Sequence, residues 1–278
     1  MKRTLTYTSL TSIAILVAML SSCTHQIEID YKSVEKQWVV EANLSDEGTL
    51  VRVSKTVDMN DTVRQLTPEQ LQDVQVSVYD DGGASETLLF DEKDGMFHGT
   101  AIKAAEGRTY RVVFTEESEH SATSNVMAAT ELVNAKWQWI KMFNSKLLLF
   151  KFSVKDIPNE STFFRYRIYR NGELYKWTVF RDKGYENMNV VVNVVCMSEE
   201  QMKKDDPDDD DVLHDGDEIH LEVETINRRT YDYLHILKSM SNSGANPVSM
   251  FDGALGYLAV YVPVKYDCVF QKSDISGQ

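Results

Sequence analysis

The chain has 278 residues, 42% of them hydrophobic and 10% aromatic, with 43 acidic against 29 basic side chains for a formal net charge of −14. That length and apolar content supply one large core or two of ordinary size, which excludes a disordered coil. The acidic balance argues against nucleic acid as a partner and against docking on anionic lipid heads.

The first residues read as an export signal. Lys2 and Arg3 precede an apolar core from about Leu10 to Leu20. The core is shorter than the roughly 20 apolar residues of a spanning helix. Leu20-Ser21-Ser22-Cys23 then matches the bacterial lipoprotein box, with small residues just before the thiol. Residues 1–22 are expected to be removed as a lipoprotein signal peptide, and Cys23 to carry diacylglycerol and a further acyl chain such as palmitate. Two or more chains anchor stably where one is marginal. An ordinary signal with an incidental cysteine is the alternative, but charge, core length and box agree on lipidation. Thr24 stands where an aspartate would favour inner-membrane retention. The expected address is therefore the outer membrane, lipid-anchored and facing the periplasm or the cell surface. Residues 23–36 form the anchor and a polar tether.

Order is expected from residue 37. Trp38 to Leu44 reads as a strand, Ser45-Asp46-Glu47-Gly48 as a turn and Leu50 to Ser54 as the partner strand. Val57 to Thr67 is a loop, and Pro68 opens a short turn or helix. Val74, Val76 and Val78 share one face of the next strand. Leu88 to Phe90 and Met96 to His98 flank Asp94-Gly95, and Thr109 to Phe114 and His120 to Met127 close the set. Short strands at about ten-residue spacing, separated by Gly and Asp turns, predict an immunoglobulin-like or transthyretin-like β-sandwich over residues 37–128.

After a junction at Ala129 to Ala135, a second β-rich domain is predicted over residues 133–270, with a tail at 271–278. Its strands are Trp137 to Ile140, Leu147 to Phe152, Phe163 to Arg170, Leu174 to Phe180, Asn189 to Met197, Glu218 to Thr225 and Ala254 to Val264. Asn171-Gly172 is a two-residue hairpin signal, because both positions tolerate positive φ. Ile219, Leu221 and Val223 point inward. Lys203 to Asp215 reads as a charged loop. One helix is predicted near 227–240, capped by Asn227, with Tyr231, Leu234 and Leu237 recurring every three residues and Ser241 to Pro247 breaking it. The class is mainly β: two β-sandwich-like domains, with one helix in the second.

Site signals are sparse. Cys196 and Cys268 remain after Cys23, and an oxidising compartment permits a disulfide between them if their strands are neighbours; two separate buried thiols are the alternative. Asp208, Asp209, Asp210, Asp211 and Asp215 suit a hard cation such as Ca²⁺. The window from Asp211 to Glu222 places Gly216 at the sixth position, but Leu213 holds the third and a strand follows. A solvated flexible loop without cofactor is the expectation. His220, Glu222 and Glu224 share a strand face and with His214 offer Zn²⁺ ligands, though the wet face of an edge strand is favoured. His25, His98, His120 and His235 show no ligand spacing. Trp137, Trp139, Tyr166, Tyr169, Tyr175 and Trp177 offer either a surface that stacks sugars or peptides, or core packing, which is the favoured reading. No nucleophile, zinc-protease or phosphate-loop motif is present, so no enzyme is expected. A hydrolase with convergent carboxylates is the distant alternative.

The order of these signals resembles the Bacteroidetes lipoprotein family called domain of unknown function 4249. The resemblance rests on the lipoprotein box, Trp38-Val39-Val40-Glu41-Ala42, the strand from Val51 to Thr56, Val74 to Val78 with Asp80-Asp81-Gly82, and Gly107-Arg108-Thr109-Tyr110. Phe164-Arg165-Tyr166-Arg167, Asp215-Gly216-Asp217, Tyr231-Asp232-Tyr233, Asn246-Pro247 and Gly253-Ala254-Leu255-Gly256-Tyr257 follow in order. Here Met250-Phe251-Asp252 and a single Gly253 replace the family's usual lead into its last motif. The family has no agreed catalytic residues. The resemblance implies an outer-membrane lipoprotein accompanying a TonB-dependent receptor, a non-enzymatic accessory in uptake of an unknown ligand. A structural or adhesive surface module binding glycan or protein is the rival.

Overall fold

Period-two alternation of apolar side chains sorts the strands into four sheets that pair into two sandwiches. The structure, a computed structural model, describes residues 35–57, 66–157, 161–183, 188–205, 209–243 and 246–277. The signal, Cys23, most of the tether and Asp208 lie outside them, as do parts of the loops expected after Val57 and Ser241.

Sheet I has the order β15-β1-β2-β6-β5, built from β1 (Trp38–Ser45), β2 (Gly48–Lys55), β5 (Leu89–Asp91), β6 (Met96–Gly99) and β15 (Leu255–Val260). Sheet II runs β4-β3-β7-β8, from β3 (Gln75–Asp80), β4 (Ser85–Thr87), β7 (Thr109–Thr115) and β8 (Glu119–Asn125). Between them lies the first core, where Val40, Ala42 and Leu44 of β1 meet Val76, Val78, Val112 and Phe114. Sheet III is β13-β10-β9, from β9 (Leu132–Met142), β10 (Ser145–Lys155) and β13 (Asn189–Ser198). Sheet IV is β12-β11-β14-β16, from β11 (Phe163–Arg170), β12 (Glu173–Arg181), β14 (Glu218–Ile226) and β16 (Val264–Val269). Phe150, Phe152, Phe164, Ile168, Ile219 and Leu221 fill the second core. Each fully buried phenylalanine contributes roughly 1.5–3 kcal/mol of transfer free energy. The molecule is mainly β, and the expected pair of sandwiches is present.

Local chemistry sets the hairpins and helices. Asn171 and Gly172 both take positive φ, 51° and 85°, as the two-residue turn requires. A short helix, α1 (Glu199–Lys204), occupies the start of the expected charged loop. Ser198 caps it by accepting from the Gln201 amide at 3.1 Å. The longer helix, α2 (Arg228–Ser243), is capped by Asn227, whose Oδ1 accepts from the Thr230 amide at 2.9 Å. Among the described residues no helix is long and apolar enough to cross a membrane.

The second predicted domain does not keep all its elements. Tyr231, Tyr233 and Leu234 of α2 and Leu258 to Tyr261 belong to the first core, and β15 runs parallel to β1 in sheet I. From Lys36 onward the chain forms one compact unit. The single final strand expected over Ala254 to Val264 is two strands in different sheets. Pro263 stands between them, and without an N–H it cannot continue a ladder.

The faces of sheets I and IV that point away from the two cores meet each other. Arg165 donates through Nη1 to Asn43 Oδ1 of β1 at 3.0 Å, and Arg167 through Nη2 to the Tyr261 hydroxyl at 2.7 Å. The layers therefore run II, I, IV, III, with apolar cores in the outer gaps and a polar junction in the middle one.

Cys196 and Cys268 are both free, so no bridge joins them and the reading of two separate thiols holds. Their strands, β13 and β16, lie in different sheets on opposite sides of the second core. Burial pushes the Cys196 thiol up to about 11. Alkylation of the native protein at neutral pH is expected to mark Cys268 well ahead of Cys196, with both marked after unfolding; equal protection of both in the native state alone would contradict this placement.

Glu86 locks β4 to the loop after β6. Its carboxylate accepts the amides of Thr100, Ala101 and Ile102 at 2.7, 2.9 and 2.8 Å. Burial alone would raise its pKa, but the three amides outweigh burial and hold it below the ordinary glutamate value. A depressed folded-state pKa gives stability that is present above the unfolded value and lost as pH falls through the folded one. Glu86→Gln is expected to cost about 1–2 kcal/mol at neutral pH, screened by partial exposure. In urea melts the gap should close below about pH 4.

Candidate functional site

At the polar junction a cleft of about 290 Å³ opens between sheets I and IV and the helix α2. Strand alternation builds its floor. Phe164, Tyr166 and Ile168 face the second core, so Arg165 and Arg167 of β11 project the other way. On β1, Val40, Ala42 and Leu44 face the first core, which turns Glu41 and Asn43 toward the arginines. Arg52 of β2, the cross-strand neighbour of Glu41, completes the charged lining.

The arginines are held by a buried carboxylate. Arg165 is 4% exposed and Glu224 of β14 is 0% exposed, and Arg165 Nε donates to Glu224 Oε2. Arg167 Nε donates to Glu224 Oε1 at 2.9 Å, and its Nη2 lies 2.9 Å from Glu222 Oε2. Burial disfavours both guanidinium charges, yet Glu224 outweighs it and raises both pKa values. The Tyr261 ring lies under both cations, with centroid distances of 4.9 and 5.3 Å. Burial, then Glu224, raises the Tyr261 hydroxyl. One donor is left over: Arg165 Nη2 is buried and has no hydrogen-bond partner.

The walls are apolar. Trp177 of β12 sits directly across the strand pair from Arg167, and Leu234 and Leu237 of α2 face it with Tyr257 of β15. Lys238 fixes the tryptophan, its ammonium 4.5 Å from the ring centroid and donating to the Trp177 carbonyl. Burial and then Lys176 lower the Lys238 pKa.

The residues singled out in the sequence separate into three groups. Trp177 lines the cleft, Tyr169 lines a groove continuing from it and Tyr175 lines a neighbouring one. Trp137 is core, packed on Phe150 and Phe270, and Trp139 packs on the same cluster. Tyr166 is also core, with its hydroxyl pushed up to about 12 by burial and Cys196.

The row of His220, Glu222 and Glu224 is not the wet face of an edge strand. β14 lies between β11 and β16, and the inner end of the row is taken by arginines. His220 Nδ1 pairs with Asp267 at 2.6 Å, and His214 lies 3.5 Å from Asp205.

The described part of the acidic run is tied down by the β11–β12 hairpin instead of standing free. Arg170 donates to the carbonyls of Asp210 and Val212, each at 2.9 Å, and Tyr175 donates to that of Asp211 at 3.0 Å. Asp209 accepts from the Asp211 amide, Asp211 pairs with Lys176, and Asp215 accepts from the Lys272 amide. Among the described residues the acidic and histidine ligand atoms that converge belong to Asp91, Asp94 and His98, all within 4.8 Å of one another. Sequence reading missed this group, whose signal was Asp-x-x-Asp-x-x-x-His across the Asp94-Gly95 turn. Asp91 and Asp94 also cap that turn, accepting from the amides of Lys93 and Met96 at 2.9 and 3.0 Å.

Fold and site define a double β-sandwich protein with an arginine-floored cleft at the junction. The sequence matches the family model described as "Domain of unknown function (DUF4249)" over residues 24–262, and the chain belongs to that family. No curated protein matches it. Among solved structures, the two fibronectin type-III domain segment from chicken tenascin is similar over 85% of this chain and 100% of its own, with 7% identity and a TM-score of 0.21. Three segments that carried the family resemblance meet at the cleft, contributing Glu41, Arg165, Arg167 and Tyr257 to its lining.

Proposed function

We propose that this protein is a lipid-anchored, non-enzymatic binding component of the outer membrane, which holds its ligand in the cleft between sheets I and IV and serves a TonB-dependent uptake system. The observation that carries the binding reading is the cleft itself: charged donors on the floor, a tryptophan and leucines on the walls, and a size at the small end of ligand pockets. The converging carboxylates Glu222 and Glu224 are engaged by arginines, which favours binding over hydrolysis. The address rests on Leu20-Ser21-Ser22-Cys23. Anchoring would raise the effective concentration of the binding module beside a receptor in the same membrane.

Two measurements test this reading. Cys23→Ser is expected to release folded protein into the soluble fraction or to block maturation; a mature form that stays in the membrane would remove the anchor. Affinity purification of the wild-type protein from solubilised outer membranes is expected to recover a TonB-dependent receptor. Repeated recovery of a monomer without partners would contradict the uptake role.

A further inference from the structure

We infer that the ligand of the cleft is a small organic carboxylate with an apolar body, recognised by Arg52, Arg165 and Arg167 through its acid group. This rests on the binding reading above and names the ligand's chemistry. Arg52, Arg165, Arg167 and Glu41 line the cavity, and Glu222 and Glu224 behind its floor neutralise Arg165 and Arg167, which leaves Arg52 as the guanidinium with free donors. Arg52 makes no hydrogen bond or ion pair with another described residue, so its donors are available to a ligand, and guanidinium is the group best shaped for bidentate contact with a carboxylate.

The second observation is independent of net charge. Arg165 is held almost out of solvent at the cleft floor, yet its Nη2 has no partner within the protein. Buried polar groups are ordinarily satisfied. This donor is closed to solvent in the structure, so a ligand oxygen beside Asn43 and Arg165 would satisfy it by drawing the side chain toward the cavity. The third observation concerns the rest of the molecule bound. Leu174, Trp177, Leu234, Leu237 and Tyr257 provide an apolar enclosure, with Trp177 placed opposite Arg167 so that one wall offers a stacking face next to the anion site. A highly polar solute such as a bare phosphate would leave those walls unmatched.

The test is calorimetry on the full chain in non-ionic micelles, with 4-phenylbutyrate, 4-phenylbutanol and 4-phenylbutylamine as probes. The acid is expected to bind saturably and at least tenfold more tightly than the alcohol or the amine. Arg52→Gln, an exposed position that leaves the buried network intact, is expected to weaken the acid at least fivefold and to leave the alcohol unchanged. Equal affinity for acid and alcohol, no saturable binding of the acid, or an acid affinity unaffected by Arg52→Gln would each overturn the inference. Tight binding of the alcohol or amine that is lost in Trp177→Ala would overturn the carboxylate class while leaving the cleft as a binding site. Failure of the binding reading shows separately, as the absence of saturable binding by acid, alcohol and amine alike.

Discussion

Glu224→Leu is expected to lower the stability of the folded chain by about 3–5 kcal/mol, the usual cost of removing one partner from a buried ion pair. Glu224 is fully buried and is shared by Arg165 and Arg167, so its loss strands Arg165 without a charged partner and leaves Arg167 only Glu222. Asn43 would still accept from Arg165, but it carries no formal charge, while Arg167 would keep Tyr261 and Glu222. Replacing Arg165 together with Glu224, as Arg165→Met with Glu224→Leu, removes a stranded charge and its orphan Nη2 as well. The double variant is expected to regain about 1–3 kcal/mol relative to Glu224→Leu alone, because well-packed apolar groups often substitute for buried ions without loss. Urea melts of the wild type, both single variants and the double variant form a cycle that measures the coupling. A near-zero coupling energy would mean that the arginines and Glu224 do not form the polar junction between the sandwiches.

The second large effect is expected at Gly256. Its φ is +133°, outside the range that L side chains ordinarily adopt, and a Cβ there would collide with the Val40 carbonyl oxygen. Gly256 and Val40 are register partners in the parallel pairing of β15 with β1. Gly256→Ala therefore combines backbone strain of roughly 1–3 kcal/mol with overpacking of a similar size, and a loss of about 3 kcal/mol or more is expected. The damage should be local in origin. Hydrogen exchange is expected to accelerate first along β15 and β1, the ladder that ties the late part of the chain to the first sandwich. Uniform acceleration across sheet III as well would place the defect elsewhere.

Much of the fold was legible because its determinants are local. Asn171-Gly172 needs two positive φ values and takes them; Asn227 caps the helix it precedes; Val74, Val76 and Val78 are all buried on one side. What the sequence left hidden is pairing between distant segments. Nothing within Ala254 to Val260 says that it will lie parallel to β1, although Gly256 inside an apolar run marks a close backbone approach. Pro263 was a readable stop signal within the final strand. The cleft was half legible. Arg165 and Arg167 alternate with Phe164, Tyr166 and Ile168, which implies a charged outer face on β11. Only the tertiary fold reveals that this face is covered, because Asn43, Tyr257 and Tyr261 come from segments far away in the chain. Trp137 and Trp177 illustrate the limit for aromatic residues. Each sits in an alternating strand, one with its ring in a core and the other on a cavity wall, and the difference lies in what packs opposite.

The most direct test of the central claim, that the junction between the sandwiches is the ligand site, uses the protein's four tryptophans as reporters. With 5-fluorotryptophan incorporated, ¹⁹F spectra are recorded while 4-phenylbutyrate is added. The Trp177 resonance, assigned through Trp177→Phe, is expected to move saturably while those of Trp137 and Trp139 stay in place. Saturable movement of Trp137 or Trp139 with Trp177 unchanged would put the binding surface on β9 and contradict the account.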